Sequence, residues 1–248
     1  MRKTILITGA STGLGAGMAR LFAAQGSDLA LCARRLPELE SLKAEITAAH
    51  PQVRVEVRTL DVCDYDAVFS VFRAFQADFG RLDRIIVNAG IGLGAEIGRG
   101  RFDVNRRTAE TNFVAALAQC EAAMEIFREQ DDGHLVMMSS VSATRGFKGP
   151  AAIYAATKAG VAVLAEGIRM DTLDTPIRVS TILPGYILTA INADLKNAPF
   201  RVDLDTGCRA LVKTINREPH TAYVPTWPWT VLSWVLRRLP VRLAAKMS

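Results

Sequence analysis

A chain of 248 residues, half of them hydrophobic and 22% charged, with 18 glycines and 10 prolines scattered along it, can bury a large core, which excludes a disordered or low-complexity protein. Its net charge of +5 comes from Lys and Arg spread along the sequence, without the dense basic block interleaved with aromatics that marks nucleic-acid binding. Cys32, Cys63, Cys120 and Cys208 form no C-x-x-C pair and no histidine cluster lies nearby, so neither a metal site nor a disulfide framework is indicated; they read as reduced core thiols of a cytoplasmic protein.

The opening "MRKTILITGAS" is basic at its start, but its apolar run stops at Gly9, too short for a signal-peptide core. Lys3 to Thr8 reads as a first strand and Gly13 to Gln25 as the helix after it. Strands at Leu29 to Ala33, Val53 to Val57, and Arg84 to Asn88 alternate with helices at Pro37 to Ala49, Tyr65 to Phe79, and Val104 to Gln130. His134 to Ser140 is a fifth strand, Ala152 to Leu173 a helix, and Ile177 to Leu183 a sixth strand. This alternation predicts an α/β fold: one doubly wound domain over residues 1–248, a parallel sheet of about seven strands and helices on both sides. A cofactor half spans about 1–130 and a catalytic and substrate part about 131–248. Tyr186 to Asp205 lacks a clear period and reads as a loop over a site, with Ile187, Leu188, Ile191, Leu195 and Phe200 suited to an apolar ligand or to closing on the core.

Between the first strand and first helix lies "ITGASTGLGAG", with glycines at 9, 13 and 15. Such a turn lets backbone N–H groups approach a pyrophosphate at a helix N-terminus, so this segment is expected to bind a dinucleotide. The residue after the second strand reads the adenosine ribose: an acid for a free 2′-hydroxyl, an arginine for a 2′-phosphate. Arg34 and Arg35 stand there, which predicts NADP(H) rather than NAD(H).

In "AAIYAATKAG", Tyr154 and Lys158 are four residues apart in a helical segment and so share one side of it. Reduction of a carbonyl by hydride creates an alkoxide, which needs a proton donor and hydrogen bonds aimed at the developing charge. A phenol with its ordinary pKa of about 10 is a poor base for the reverse step, and a neighbouring ammonium would bring that value down.

Taken together, "TGASTGLG", "NAG" at Asn88 to Gly90, Ser140 and "YAATK" resemble the short-chain dehydrogenase/reductase family, over about Lys3 to Thr189. The resemblance implies a Rossmann fold of the carbonyl reductase type. It also implies a catalytic tetrad of Asn112, Ser140, Tyr154 and Lys158, with Ser139 and Ser142 as neighbours of the serine. Ser140 stands fourteen positions before Tyr154, where many relatives have one fewer, which suggests an insertion near Pro150. In this reading Tyr154 is the general acid/base, Lys158 tunes it and holds the nicotinamide ribose, Asn112 anchors a proton-relaying water, and Ser140 bonds the substrate oxygen. The cofactor set implied is Thr8, Gly9, Ser11, Thr12, Gly13, Leu14 and Gly15 at the turn, and Arg34 and Arg35 at the ribose. Asp61 and Val62 would meet adenine, Asn88, Ala89 and Gly90 support the dinucleotide, and Pro184, Gly185, Ile187 and Thr189 lie near the nicotinamide, with Tyr154 and Lys158.

The resulting expectation is an NADPH-dependent oxidoreductase that reduces an apolar small-molecule carbonyl reversibly to an alcohol, assembled as a homodimer or homotetramer through the long helices from Val104 and Ala152. The alternative is a catalytically silent NADPH sensor or scaffold of the same fold. Past Tyr223, three tryptophans, Trp227, Trp229 and Trp234, precede Arg237, Arg238, Arg242 and Lys246. Three uses stay open for this segment: packing on the core, a subunit contact, or peripheral association with a membrane.

Overall fold

The computed structural model describes residues 2–191 and 199–247, the latter without the Met247 side chain; Leu195 lies outside the described residues. Strands β1 (Thr4–Thr8), β2 (Asp28–Ala33), β3 (Val55–Thr59), β4 (Arg84–Val87), β5 (Gly133–Met138), β6 (Ile177–Pro184) and β7 (Thr221–Val224) form one parallel sheet in the order β3-β2-β1-β4-β5-β6-β7. The order in which strands are added to the sheet reverses between β1 and β4, and there the carboxyl ends of the strands leave a crevice.

Successive residues of each central strand point to opposite sides, and both sides are apolar. Ile5, Ile7, Leu29, Leu31 and Val136 pack under α1 (Gly13–Ala24), α2 (Leu36–Ala49) and α7 (Leu204–Ile215). Leu6, Ala30, Ile85, Leu135 and Met137 pack under α3 (Tyr65–Phe79), α5 (Ala115–Gln130) and α6 (Ala151–Asp171). Each such side chain, fully withdrawn from water, contributes about 1.5–3 kcal/mol, which is why the strands read as continuous apolar runs.

Three departures from the sequence reading matter. The long helix expected from Val104 is α4 (Phe102–Ala109), a π-helical turn (Glu110–Val114) and α5 in continuous succession. Helix α7 and strand β7 lie in a stretch where no such element was placed. The expected loop from Tyr186 is anchored at both flanks: Leu188 N–H donates to the Val202 carbonyl and Val202 N–H to that of Tyr186. Beyond β7 come α8 (Thr226–Arg238) and α9 (Val241–Met247). By length and composition α6 is apolar enough to cross a bilayer, with a mean hydropathy of 1.3 in its best window, yet here it lies against β5 and β6.

At the opposite end of the strands, Arg84 and His134 are buried side by side. Arg84 Nε donates to His134 Nδ1 at 2.8 Å and its Nη1 to Asn216 Oδ1 at 2.7 Å, while Glu218 lies 3.3 Å from Nη2. Since Nδ1 accepts, the ring is neutral and its Nε2–H points to Ser180 Oγ, 2.8 Å away. Burial, then the charges of Arg84 and Arg2, hold the His134 pKa well below 6.5. The unfolded chain therefore binds a proton that the folded one refuses, so stability falls as the pH drops below about 6.5, by at most about 1.4 kcal/mol per unit, until the native value is reached. Urea unfolding between pH 7.5 and 5 should show that slope, and His134→Gln should flatten it; equal slopes in the two proteins would refute the assignment.

Candidate active site

The end of β1 is tied to the end of β4. Thr8 Oγ1 accepts from the N–H groups of Asn88 and Ala89, both at 3.1 Å, and Asn88 Nδ2 donates to the Thr8 carbonyl at 2.9 Å. The chain then turns through Gly9, at φ +65°, where a Cβ would sit 2.9 Å from the Ala89 Cα. Gly15 is tighter still: a Cβ would lie 2.4 Å from the Gly9 carbonyl oxygen. Thr8 and Gly15 are thus buried braces of the turn, whereas Gly9, Ser11, Thr12, Gly13 and Leu14 line a cavity of about 540 Å³ at the sheet's crevice. Thr12 caps α1 without a side-chain bond and no acid stands in its first turn, so the positive end of the helix dipole opens to that cavity. Gly15→Ala should cost about 1–3 kcal/mol of stability and weaken dinucleotide binding, as measured by urea unfolding and calorimetric titration; wild-type values in both would contradict this role.

One end of the cavity is cationic. Arg35 Nη2 donates to Ser11 Oγ at 3.0 Å and Thr12 Oγ1 at 2.8 Å, and Arg35 also pairs with Glu38 at 3.5 Å. Arg34 lines the same end and makes no hydrogen bond or ion pair among the described residues. Beside them, past β3, Asp61 accepts from the Cys63 N–H at 3.0 Å, and Asp61 and Val62 form the adjoining lining.

At the other end stand Ser140, Tyr154 and Lys158, in the same cavity as the glycine turn. Ser140 follows β5 as the cap of a short 3₁₀ turn (Val141–Thr144); its Oγ accepts from Ser142 N–H at 3.1 Å, and its hydroxyl is close enough to the Tyr154 phenol to pull that group's pKa down. Ser139 is committed elsewhere, donating to the Lys158 carbonyl at 2.7 Å, and Ser142 does not reach the lining. Lys158 Nζ lies 5.9 Å from the Tyr154 ring centre and donates to the Met138 carbonyl at 2.8 Å. That is one of its three N–H donors; the other two have no partner among the described residues, and no carboxylate neutralises the charge.

Burial shifts both groups. It pushes Tyr154 above its usual value against the pull of the Ser140 hydroxyl, with Tyr186 adding to the rise, and it brings Lys158 down to about 8. A lysine-lowered phenol is the expectation from spacing; in the protein by itself burial sets the direction, and the opposing pull comes from Ser140.

Asn112 does not face the cavity. It sits in the π-helical turn, 1% exposed, and its amide clasps Ile91: Oδ1 accepts from the Ile91 N–H at 2.8 Å and Nδ2 donates to its carbonyl at 2.9 Å. A Cβ at Gly90 would meet Asn112 Oδ1 at 3.1 Å and Lys158 Nζ at 3.5 Å, so the bare glycine lets these three segments close up. Asn88, Ala89 and Gly90 line the cavity, as do Pro184, Gly185, Ile187 and Thr189 after β6. Residues the motifs did not mark also line it: Arg107, Glu110 and Thr111, at helical i, i+3, i+4 spacing ahead of Asn112, and Ile91, Cys63 and Ile191. That spacing was the signal available for the first three. Behind Gly185 lies Trp229, edge-on to Tyr186 at 5.5 Å and to Phe200 at 6.1 Å.

Comparison with known proteins places this geometry. The family profile described as short chain dehydrogenase matches residues 3–199. An uncharacterized oxidoreductase of Mycobacterium tuberculosis is 49% identical over 247 residues, covering 100% of this chain and 98% of the relative. Among solved structures, the NADPH-dependent 3-quinuclidinone reductase of Rhodotorula rubra is 26% identical, with a TM-score of 0.75 over 85% of this chain and 83% of that one. Levodione reductase is 29% identical, with a TM-score of 0.73 over 79% of each chain.

Proposed function

This chain belongs to the short chain dehydrogenase family, and from that premise we propose that it is an NADPH-dependent reductase converting an apolar carbonyl compound reversibly to an alcohol. One observation carries the reading: Ser140, Tyr154 and Lys158 line the same cavity as the glycine turn and the Arg34–Arg35 pair. The residues fit the dinucleotide. Gly9 leaves no space for a side chain, the α1 N-terminus opens on the cavity, and a buried ammonium with two unused donors suits a pair of ribose hydroxyls. The turn from Gly9 to Leu14 would hold the pyrophosphate, Arg34 and Arg35 the 2′-phosphate, Asp61 and Val62 the adenine, and Pro184 to Thr189 the nicotinamide end.

NADPH held there would supply the hydride for the carbonyl carbon. Tyr154 gives its phenolic proton to the carbonyl oxygen, and the Ser140 hydroxyl, lining the same cavity, hydrogen-bonds the same oxygen as charge builds on it. Burial keeps Tyr154 protonated, which favours reduction over oxidation in neutral solution. Lys158 stabilises the phenolate left behind, and Asn112 holds Ile91 and the π-helical turn in register beside it. Leu188, Ile191 and Phe200, exposed on the segment after β6, offer apolar contact to the substrate. Exposed Val114, Leu117, Val163 and Met170 on the long helices supply the subunit contact of a homo-oligomer, and the four free thiols suit a cytoplasmic setting.

The test is NADPH consumption across quinones, steroids and 3-oxoacyl thioesters, with Tyr154→Phe as the blank. Consumption by the wild type alone on at least one class supports the reading. A protein that binds NADPH tightly and reduces none of them would be a sensor instead.

A further inference from the structure

Helix α8 is apolar on two sides. Trp229 and Ser233 face inward and are buried, while Val231, Trp234 and Val235 recur at helical spacing on the outside, Trp234 being 59% exposed. Trp227, at a kink with extended backbone (φ −97°, ψ 133°) at the start of the element, is 75% exposed. Past Pro240, α9 adds exposed Val241 and Leu243 and turns Ala244 inward. The inner side is fixed: Arg145 Nη1 donates to the carbonyls of Leu236 and Leu239 at 2.7 and 3.0 Å, and Lys148 Nζ to that of Ala245 at 2.7 Å. The outer stripe is therefore held out to the surroundings by a docked helix.

Its charge is of one sign. Arg237, Arg238, Arg242 and Lys246 are exposed around the stripe, and residues 219–248 contain no aspartate or glutamate. None of the four pairs with a carboxylate among the described residues, and the Arg238 guanidinium lies 4.0 Å from the centre of the Trp234 ring, binding a cation to an exposed indole. A second copy seated by a two-fold axis would set this patch against itself, four cations facing four with no acid on either patch to answer them. A bilayer bearing anionic headgroups answers both features, since indoles favour the interface and cations the headgroup charge.

We propose that the outer side of α8 and α9 docks on an anionic lipid bilayer, Trp227, Trp234 and Val231 entering the interface and the four basic residues meeting lipid phosphates. Each such cation strengthens binding about fivefold at ordinary salt. The docking does not depend on the catalytic reading, and its test does not use turnover.

The full-length protein should sediment at low salt with vesicles of equimolar phosphatidylglycerol and phosphatidylcholine, with a blue shift of its exposed indoles, and should be released as salt rises. Arg237→Glu with Arg242→Glu should weaken this at least about 25-fold, the product of two such factors. Trp227→Ser with Trp234→Ser should remove the blue shift. NADPH binding and thermal unfolding serve as fold controls, and Arg242→Gln alone should give an intermediate loss. Failure to sediment at low salt would overturn the proposal, as would equal binding to pure phosphatidylcholine. So would a dimer in solution that the tryptophan substitutions dissociate, because a second copy would then cover the stripe.

Discussion

Tyr154→Phe should lower carbonyl reduction by about 10²–10⁴-fold while leaving NADPH affinity within a few-fold of wild type. The substitution removes a single oxygen. Ser140 beside it keeps the Ser142 N–H on its own Oγ, so the loss of stability should be about 1 kcal/mol or less and the fold unaffected. On the proposed mechanism, what disappears is the proton donor at the point where the carbonyl oxygen gains charge. The burial that lifts the phenol's pKa also limits the water that could replace it. The comparison is kcat by NADPH absorbance beside Kd by calorimetry. A variant retaining most of its rate would remove Tyr154 from the chemistry, and one losing NADPH binding equally would make it a cofactor residue only.

Arg34→Asp combined with Arg35→Ser should weaken NADPH by about 100-fold and leave NADH unchanged or improved. The two guanidiniums are not equivalent. Arg35 already spends donors on Ser11, Thr12 and Glu38, whereas Arg34 has no bond or ion pair among the described residues and lines the cavity. Charge-assisted hydrogen bonds contribute about 1.5–3 kcal/mol each, so losing one at Arg34 accounts for most of the change, with Arg35 shaping the turn beside it. Arg34→Asp alone should therefore approach the double variant, and Arg35→Ser alone should fall short of it. If the ratio of the two cofactors' kcat/KM is the same in all four proteins, the 2′-phosphate is not read here.

Period and turn chemistry were enough to place most of the fold. Tyr65–Phe79 has the bounds its pattern predicts, because Asp64 caps it through the Ala67 N–H and Gly80 ends it at φ +77°. The break in the helix from Val104 was invisible because its cause is distant: the π-helical turn serves the Asn112 clasp on Ile91, a contact made by tertiary structure. Helix α7 does carry a signal in the sequence, with Asp203 as cap and Leu204, Cys208, Leu211, Val212 and Ile215 at helical spacing. At the site, most motif residues line one cavity, but the motifs do not separate lining from brace. Thr8, Gly15 and Asn112 lie behind the surface they support, and Ser139 and Ser140 differ only in which way a strand end turns. The direction of the Tyr154 shift also needed coordinates, since it depends on burial in a cavity whose depth no local pattern records.

The proton couple between Tyr154 and Lys158 is tested most directly by the pH dependence of alcohol oxidation at saturating NADP⁺, compared between wild type and Lys158→Met. On the proposed mechanism oxidation requires the Tyr154 phenolate, so kcat should climb with pH through one ionisation; without the ammonium the phenolate would be less stable, and the climb should move up by about one unit or more. An unchanged midpoint in Lys158→Met would contradict the account.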